Sequence, residues 1–168
     1  MLLDVDLTLL RYLRDNIPIE SFYLNIEIEN QESASHVEKW IRPVATKTCL
    51  KELFLSIDLT NASLTLPDDI LSGENLTNLR VSVPTRGTHS VWMSTPVIKC
   101  VSLQELHLYN VCISEEALHD ILSSCSLLVK IELLYSCKEF KTIKAHAEGG
   151  LGEEEYCKNV LASLPETC

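Results

Sequence analysis

Cysteine and histidine are the residue types in this sequence that could perform nucleophilic or metal chemistry. Cys112 lies five residues after His107 and seven before His119, and either imidazole would activate the thiol if the fold brought the two together. Spacing along the chain fixes no such geometry, and a buried thiol beside a surface imidazole is the more frequent arrangement. The pair alone therefore does not indicate catalysis.

Other catalytic and metal-binding motifs are missing from the sequence. The seven cysteines contain no CxxC pair, and there is no GxSxG, no HExxH and no glycine-rich phosphate loop. Arg86-Gly87-Thr88 would suit an anion in a loop, but an ordinary surface turn explains it better. We therefore expect no enzyme, no cofactor and no metal site.

Charge and hydropathy restrict the partners. With 24 acidic and 14 basic residues the net charge is −10, which repels a phosphate backbone, so nucleic-acid binding is not expected. Charged residues interrupt the leucine-rich N-terminus, and no stretch approaches the roughly 20 apolar residues of a membrane span. We expect no membrane partner, reduced thiols, and a cytoplasmic or nuclear location.

The elements that would position these residues are set by a recurring apolar triplet with spacings of three and then two. Successive copies begin 31, 26, 27 and 25 residues apart. Cys100 and Cys125 are also separated by 25 residues, the spacing of the last two copies. The second and third residues alternate as in a strand. The five copies are Ile19, Phe22, Leu24; Leu50, Leu53, Leu55; Leu76, Leu79, Val81; Leu103, Leu106, Leu108; and Leu128, Ile131, Leu133.

This period predicts an α/β fold, a leucine-rich-repeat solenoid of about five repeats over residues 1–147. Short parallel strands would alternate with helical or loop return segments, the helices falling at 33–45 and 114–125. The segment 85–96 has no period and is expected to be a loop with a packed Trp92. Residues 148–168 would form a glycine-rich hinge and a short helix that caps the last repeat.

Three stretches carry a resemblance to a known family. VEKWIRPVATKTCLKELFLSI (37–57), LPDDILSGENLTNLRVSV (66–83) and CVSLQELHLYNVCISEEALHDILSSCSLLVKIELLYSC (100–137) are similar to repeats of plant F-box/LRR proteins, including the F-box/FBD/LRR group. In that family the F-box docks the Skp adaptor of a cullin ubiquitin ligase, and the repeats hold the protein to be ubiquitinated. The resemblance implies a substrate-recognition module.

The F-box itself is not found. LPDDIL resembles the start of an F-box, but SGENLTNLRVSVP follows it as turn and strand rather than as the helical pattern an F-box needs. We expect LPDDIL to be a repeat loop and do not expect the Skp adaptor to bind this chain. The chain also begins within an expected return helix, as an internal piece of a longer protein would.

Side chains between the buried strand positions would point to the concave surface and bind a protein partner. Tyr, Phe and Arg are types that dominate binding energy in protein interfaces, and Glu52 and Glu105 suggest a partner with a basic patch. β-Propensity alone would also favour such a mixture. The predicted partner-binding residues are Tyr23, Phe54, Arg80, His107, Glu132, Glu52, Asn78, Glu105, Lys130 and Tyr109.

Two other functions fit the same pattern. The chain could be a stand-alone repeat protein that binds or competes for a partner without a ligase link. It could also be a truncated gene fragment without a selected function, which would melt early because an open core end exposes apolar surface.

Overall fold

A computed structural model of the protein describes residues 2–46, 49–84, 91–93 and 98–134. Within these ranges the chain alternates strands with helices or turns. In chain order the helices and strands are α1 (Leu2–Arg14), β1 (Ser21–Ile28), α2 (Gln31–Ala45), β2 (Glu52–Leu59), β3 (Leu64–Thr65), a 3₁₀ turn (Asp68–Leu71), β4 (Asn78–Ser82), β5 (Val91–Met93), β6 (Glu105–Tyr109), β7 (Val111–Ile113), α3 (Glu115–Ser124) and β8 (Lys130–Leu134).

Five strands form one parallel sheet in the order β1-β2-β4-β6-β8. The register sets the second residues of the five triplets side by side, and likewise the third residues. A slip of one residue would turn both apolar rows outward, so burial of the rows fixes the pairing. The predicted α/β class with parallel strands is confirmed. The two rows are Phe22, Leu53, Leu79, Leu106, Ile131 and Leu24, Leu55, Val81, Leu108, Leu133.

The core lies between this sheet and the return segments. The central residues of both apolar rows are fully buried, as are the triplet starts Leu50, Leu76 and Leu103. Each leucine removed from water in this way contributes about 1.5–3 kcal/mol. At the β1 end Phe22 and Leu24 are only partly buried, because no described strand covers them there. The triplets thus account for one continuous core.

Helices α2 and α3 cover the sheet as the sequence predicts. The Asn30 side chain caps α2 by accepting a hydrogen bond of 2.9 Å from the backbone N–H of Ser33. Ser114 caps α3 in the same way, accepting from Ala117 at 3.1 Å. Pro43 lies in the last turn of α2, where the helix ends two residues later. Both helices bury an apolar stripe against the core.

Two cysteines confirm that the repeat places small apolar side chains in the core. Cys100 and Cys125 are buried, and their sulfur atoms lie 3.8 Å apart. Each thiol takes the place of a small hydrophobic residue in successive repeats. Cys49 and Cys112 are only partly buried, so burial does not extend to every cysteine.

A second sheet corrects the sequence analysis. Strands β3, β5 and β7 pair in parallel, where residues 85–96 were expected to form a loop. Val91 and Met93 are buried on either side of Trp92, which is 53% exposed rather than packed. The reason is the period of two: burying both neighbours of Trp92 turns its indole outward.

The expected hinge and helix at 148–168, and Arg86-Gly87-Thr88, lie outside the described residues. Among the helices that the structure does describe, none combines the length and the apolar character needed to cross a membrane.

Candidate protein-binding face

The outward side chains of the five-stranded sheet form three rows, which we call the strand face. The register brings every predicted partner-binding residue onto this surface, in the neighbour order expected from the sequence. Their role in binding stays a prediction. The rows, in strand order, are Ser21, Glu52, Asn78, Glu105, Lys130; Tyr23, Phe54, Arg80, His107, Glu132; and Asn25, Ser56, Ser82, Tyr109, Leu134.

Aromatic and cationic side chains stack along the first three strands. The rings of Tyr23 and Phe54 lie 4.6 Å apart between centroids and are inclined by only 9°. The guanidinium carbon of Arg80 lies 5.7 Å from the Phe54 centroid, within cation–π range. Tyr23 is 65% exposed, and Arg80 is exposed as well. Three side chains of the kinds that dominate interfaces therefore share one accessible array.

A shallow groove runs beside this array. Its volume is about 230 Å³, and we call it the aromatic groove. Tyr23, Phe54 and Arg80 form one wall, and the smaller third-row side chains form the other. The second wall consists of Asn25, Ser56 and Ser82. Leu24 and Leu55 occupy the chain positions between the two rows. The groove exists because the side chains of the third row are short where those of the second row are long.

Glu52 fixes the Tyr23 end of the array. The hydroxyls of Ser21 and Tyr23 both donate to the same carboxylate oxygen of Glu52, each at 2.8 Å. The bond from Tyr23, with that from Ser21, lowers the pKa of Glu52. The same hydrogen bond to Glu52 raises the pKa of Tyr23. A phenol held by a carboxylate has less rotational freedom to lose on binding.

His107 corrects the expectation of an exposed histidine, because its side chain is only 2% exposed. Its Nδ1 lies 2.8 Å from Glu132 and its Nε2 lies 3.0 Å from Glu105. Each ring nitrogen thus lies within hydrogen-bonding distance of a glutamate carboxylate. The two glutamates and the Tyr109 ring, whose centroid is 6.4 Å away, close over the imidazole. A partner would therefore meet these glutamates and Tyr109 before it met His107.

Glu132 is the most heavily bonded carboxylate of the strand face. The Tyr109 hydroxyl donates to Oε2, the oxygen that also contacts His107. The Lys130 ammonium lies 3.0 Å from the other oxygen, Oε1. The Tyr109 bond first, and then Lys130 and His107, lower the pKa of Glu132 to about 2 despite partial burial. Glu132 in turn raises the pKa of Tyr109. The two carboxylates at this end of the strand face thus have their partners within the chain.

The catalytic pairing considered for Cys112 is not formed through His107. Both ring nitrogens of His107 already face carboxylates, so neither is left for a thiol. His119 is exposed on α3, with its Nδ1 4.0 Å from Asp120. Within the described parts of the chain, no group of three His, Cys, Asp or Glu side chains is arranged to hold a metal ion.

The residues that the prediction missed are those of the second groove wall, Asn25, Ser56 and Ser82. They lie two positions after the aromatic row on the same face, and their small size is the signal that could have marked a groove. The network around His107 was also missed. Its signal was the presence of Glu105, Tyr109 and Glu132 at neighbouring positions of the aligned rows.

The parallel sheet and the repeated apolar triplets define a leucine-rich-repeat protein. A family model described as FBD-associated F-box protein At5g56370, LRR repeats, matches residues 37–149. This match covers more than half of the chain, and the chain belongs to that family, as the sequence resemblance indicated. Neither the comparison with curated proteins nor that with solved structures gave a match. Leucine-rich repeats of this kind are protein-interaction modules.

Proposed function

We propose that the chain is a solenoid of about five repeats that binds a protein partner non-covalently through the strand face. The observation that carries this proposal is the array of Tyr23, Phe54 and Arg80, which lies accessible on a parallel sheet with a continuous core. Side chains fixed to a sheet pay little ordering cost on binding, which favours a rigid recognition surface. The family supports the same reading, since repeats of this class bind proteins.

We further propose that this recognition serves a ubiquitin ligase in the cytoplasm or nucleus, with the bound protein as the substrate. Support comes from the F-box family to which the repeats belong. The Skp adaptor is not expected to bind this chain, because the F-box-like LPDDIL stretch forms a single 3₁₀ turn over Asp68–Leu71 between β3 and β4. Any ligase link would then depend on residues other than this stretch.

Affinity capture from plant-cell extract tests the proposal. The wild-type chain is compared with a strand-face variant, Tyr23→Ala/Phe54→Ala/Arg80→Ala, and bound proteins are identified by mass spectrometry. A control variant removes two aromatic residues and one cation that are exposed elsewhere. The control substitutions are Tyr12→Ala, Trp92→Ala and Lys99→Ala.

A protein recovered by the wild type and the control but lost by the strand-face variant is the expected result. Equal recovery by all three would reject the strand face as the binding surface. Recovery of the Skp adaptor through this chain would show that the F-box assignment is wrong. A partner without any accompanying ligase subunit would favour the stand-alone binder over the ligase role.

A further inference from the structure

We propose that the aromatic groove takes an acidic segment of the partner, one that carries a carboxylate close to a flat apolar side chain. This inference rests on the proposed function and specifies the partner's chemistry. It reverses the expectation of a partner with a basic patch, which the sequence suggested from Glu52 and Glu105. The expected sign of the partner's charge changes because some charged side chains of the strand face already have hydrogen-bond partners within the chain and others do not.

The carboxylates of the strand face are occupied within the chain. Glu52 accepts two hydroxyl hydrogen bonds, from Ser21 and Tyr23. Glu105 contacts the His107 imidazole at 3.0 Å. Glu132 is bonded by His107 and by Lys130, besides the Tyr109 hydroxyl. A cationic partner would have to compete with these bonds to gain an ion pair here.

Arg80 is in the opposite situation. Its guanidinium is exposed, and within the described residues no carboxylate forms an ion pair with it. Its guanidinium carbon lies 5.7 Å from the Phe54 ring centroid, so the ring supports one side of the group. Such a fork matches a carboxylate in a bidentate geometry. Of the residues that line the groove, Arg80 is the charged one, although the chain as a whole carries −10.

The overall negative charge does not remove this local preference. At physiological salt the screening length is about 8 Å, so exposed charges elsewhere on the chain act weakly at the groove. A carboxylate in contact with Arg80 also gains charge-assisted hydrogen bonds, which distant charges do not offset. The chain's net charge should slow the approach of an acidic partner more than it weakens the final contact.

The groove also sets the distance between the two partner groups. Phe54 and Arg80 are aligned on neighbouring strands, which lie about 4.8 Å apart. Side chains on one face of an extended segment repeat every second residue, at roughly 7 Å. A partner could thus place an aromatic or leucine side chain against Tyr23 and Phe54, and an Asp or Glu within two residues of it against Arg80.

Selection from a random twelve-residue peptide library, displayed on phage, tests this chemistry with the full chain as bait. Parallel selections use Arg80→Glu and the matched charge reversal Lys99→Glu, since Lys99 is also exposed but lies outside the strand face. The expected peptides carry Asp or Glu within two positions of an aromatic residue or leucine. We expect Arg80→Glu to weaken their binding by about tenfold or more, and Lys99→Glu to leave it unchanged. Circular dichroism verifies that each variant is folded.

Two other outcomes would overturn the inference and separate it from the proposed function. Peptides rich in Lys or Arg that survive Arg80→Glu, but are lost with Tyr23→Ala/Phe54→Ala, would reject the acidic partner and keep the strand face. Peptides insensitive to all of these substitutions, or no enrichment at all, would count against both. Arg80→Gln serves as a second variant, because it removes the charge without introducing repulsion.

Discussion

Replacing Leu79 by alanine should destabilise the protein strongly, because this side chain lies at the middle of the apolar core. Leu79 is fully buried on β4, the central strand of the sheet, and its register neighbours are Leu53 and Leu106. Truncation loses the transfer free energy of the removed methyl groups and leaves a cavity between two packed rows. The free energy of unfolding should fall by about 2–5 kcal/mol. For a domain stable by roughly 5–15 kcal/mol this is a large fraction.

Urea denaturation followed by far-ultraviolet circular dichroism measures this loss. With a denaturant slope of about 2 kcal/mol per M, a loss of about 3 kcal/mol lowers the urea midpoint by about 1.5 M. Arg80→Ala is the matched control, since Arg80 is the next residue along the strand but is exposed. It removes only the contact with Phe54 and should cost no more than about 1 kcal/mol.

A loss of less than about 1 kcal/mol for Leu79→Ala, or an equal loss for the two substitutions, would contradict the burial of Leu79. Either result would mean that residues of β4 do not alternate between the core and the strand face. A change in the denaturant slope without a shift in midpoint would show instead that the substitution alters the compactness of the folded or unfolded chain, or that unfolding is no longer two-state.

Three further predictions concern local contacts. Ser114→Ala removes the N-cap of α3 and should lower the free energy of unfolding by about 1 kcal/mol, measured in urea. Because the folded state lowers the pKa of Glu132 to about 2, its ionised form stabilises the fold above about pH 4. That contribution, about 1 kcal/mol after solvent screening, should fade as the pH drops towards 2, and Glu132→Gln should abolish this dependence. In the folded chain an alkylating reagent should label the partly exposed Cys112 before the buried Cys100 and Cys125, as read by peptide mass spectrometry. Equal labelling rates would contradict the assigned burial.

The strand register was predictable because it follows from local spacing alone. Once Leu53, Leu79 and Leu106 are recognised as equivalent, the rows between them are determined, and the structure places Phe54 and Arg80 side by side as expected. The helix cap at Ser114 was predictable for a similar reason, since it depends on neighbours within one turn.

Other features depend on contacts between strands or on runs too short to show a period. The burial of His107 results from Glu105 and Glu132 turning their carboxylates onto both ring nitrogens, which is a choice of side-chain conformation. Strand β5 has only three residues, so its alternation around Trp92 gave no reliable signal. The aromatic groove likewise depends on side-chain sizes in two rows, which become neighbours only after folding.

Site-specific photo-crosslinking decides whether the strand face contacts the partner. A benzophenone amino acid replaces Tyr23 on the strand face or, as the control, Trp92 on the second sheet; both positions are more than half exposed. After irradiation in plant-cell extract, adducts are identified by mass spectrometry. Binding through the strand face predicts a protein adduct at position 23 that is lost with Phe54→Ala/Arg80→Ala and does not form at position 92. The same adduct at both positions, or only at position 92, would contradict it.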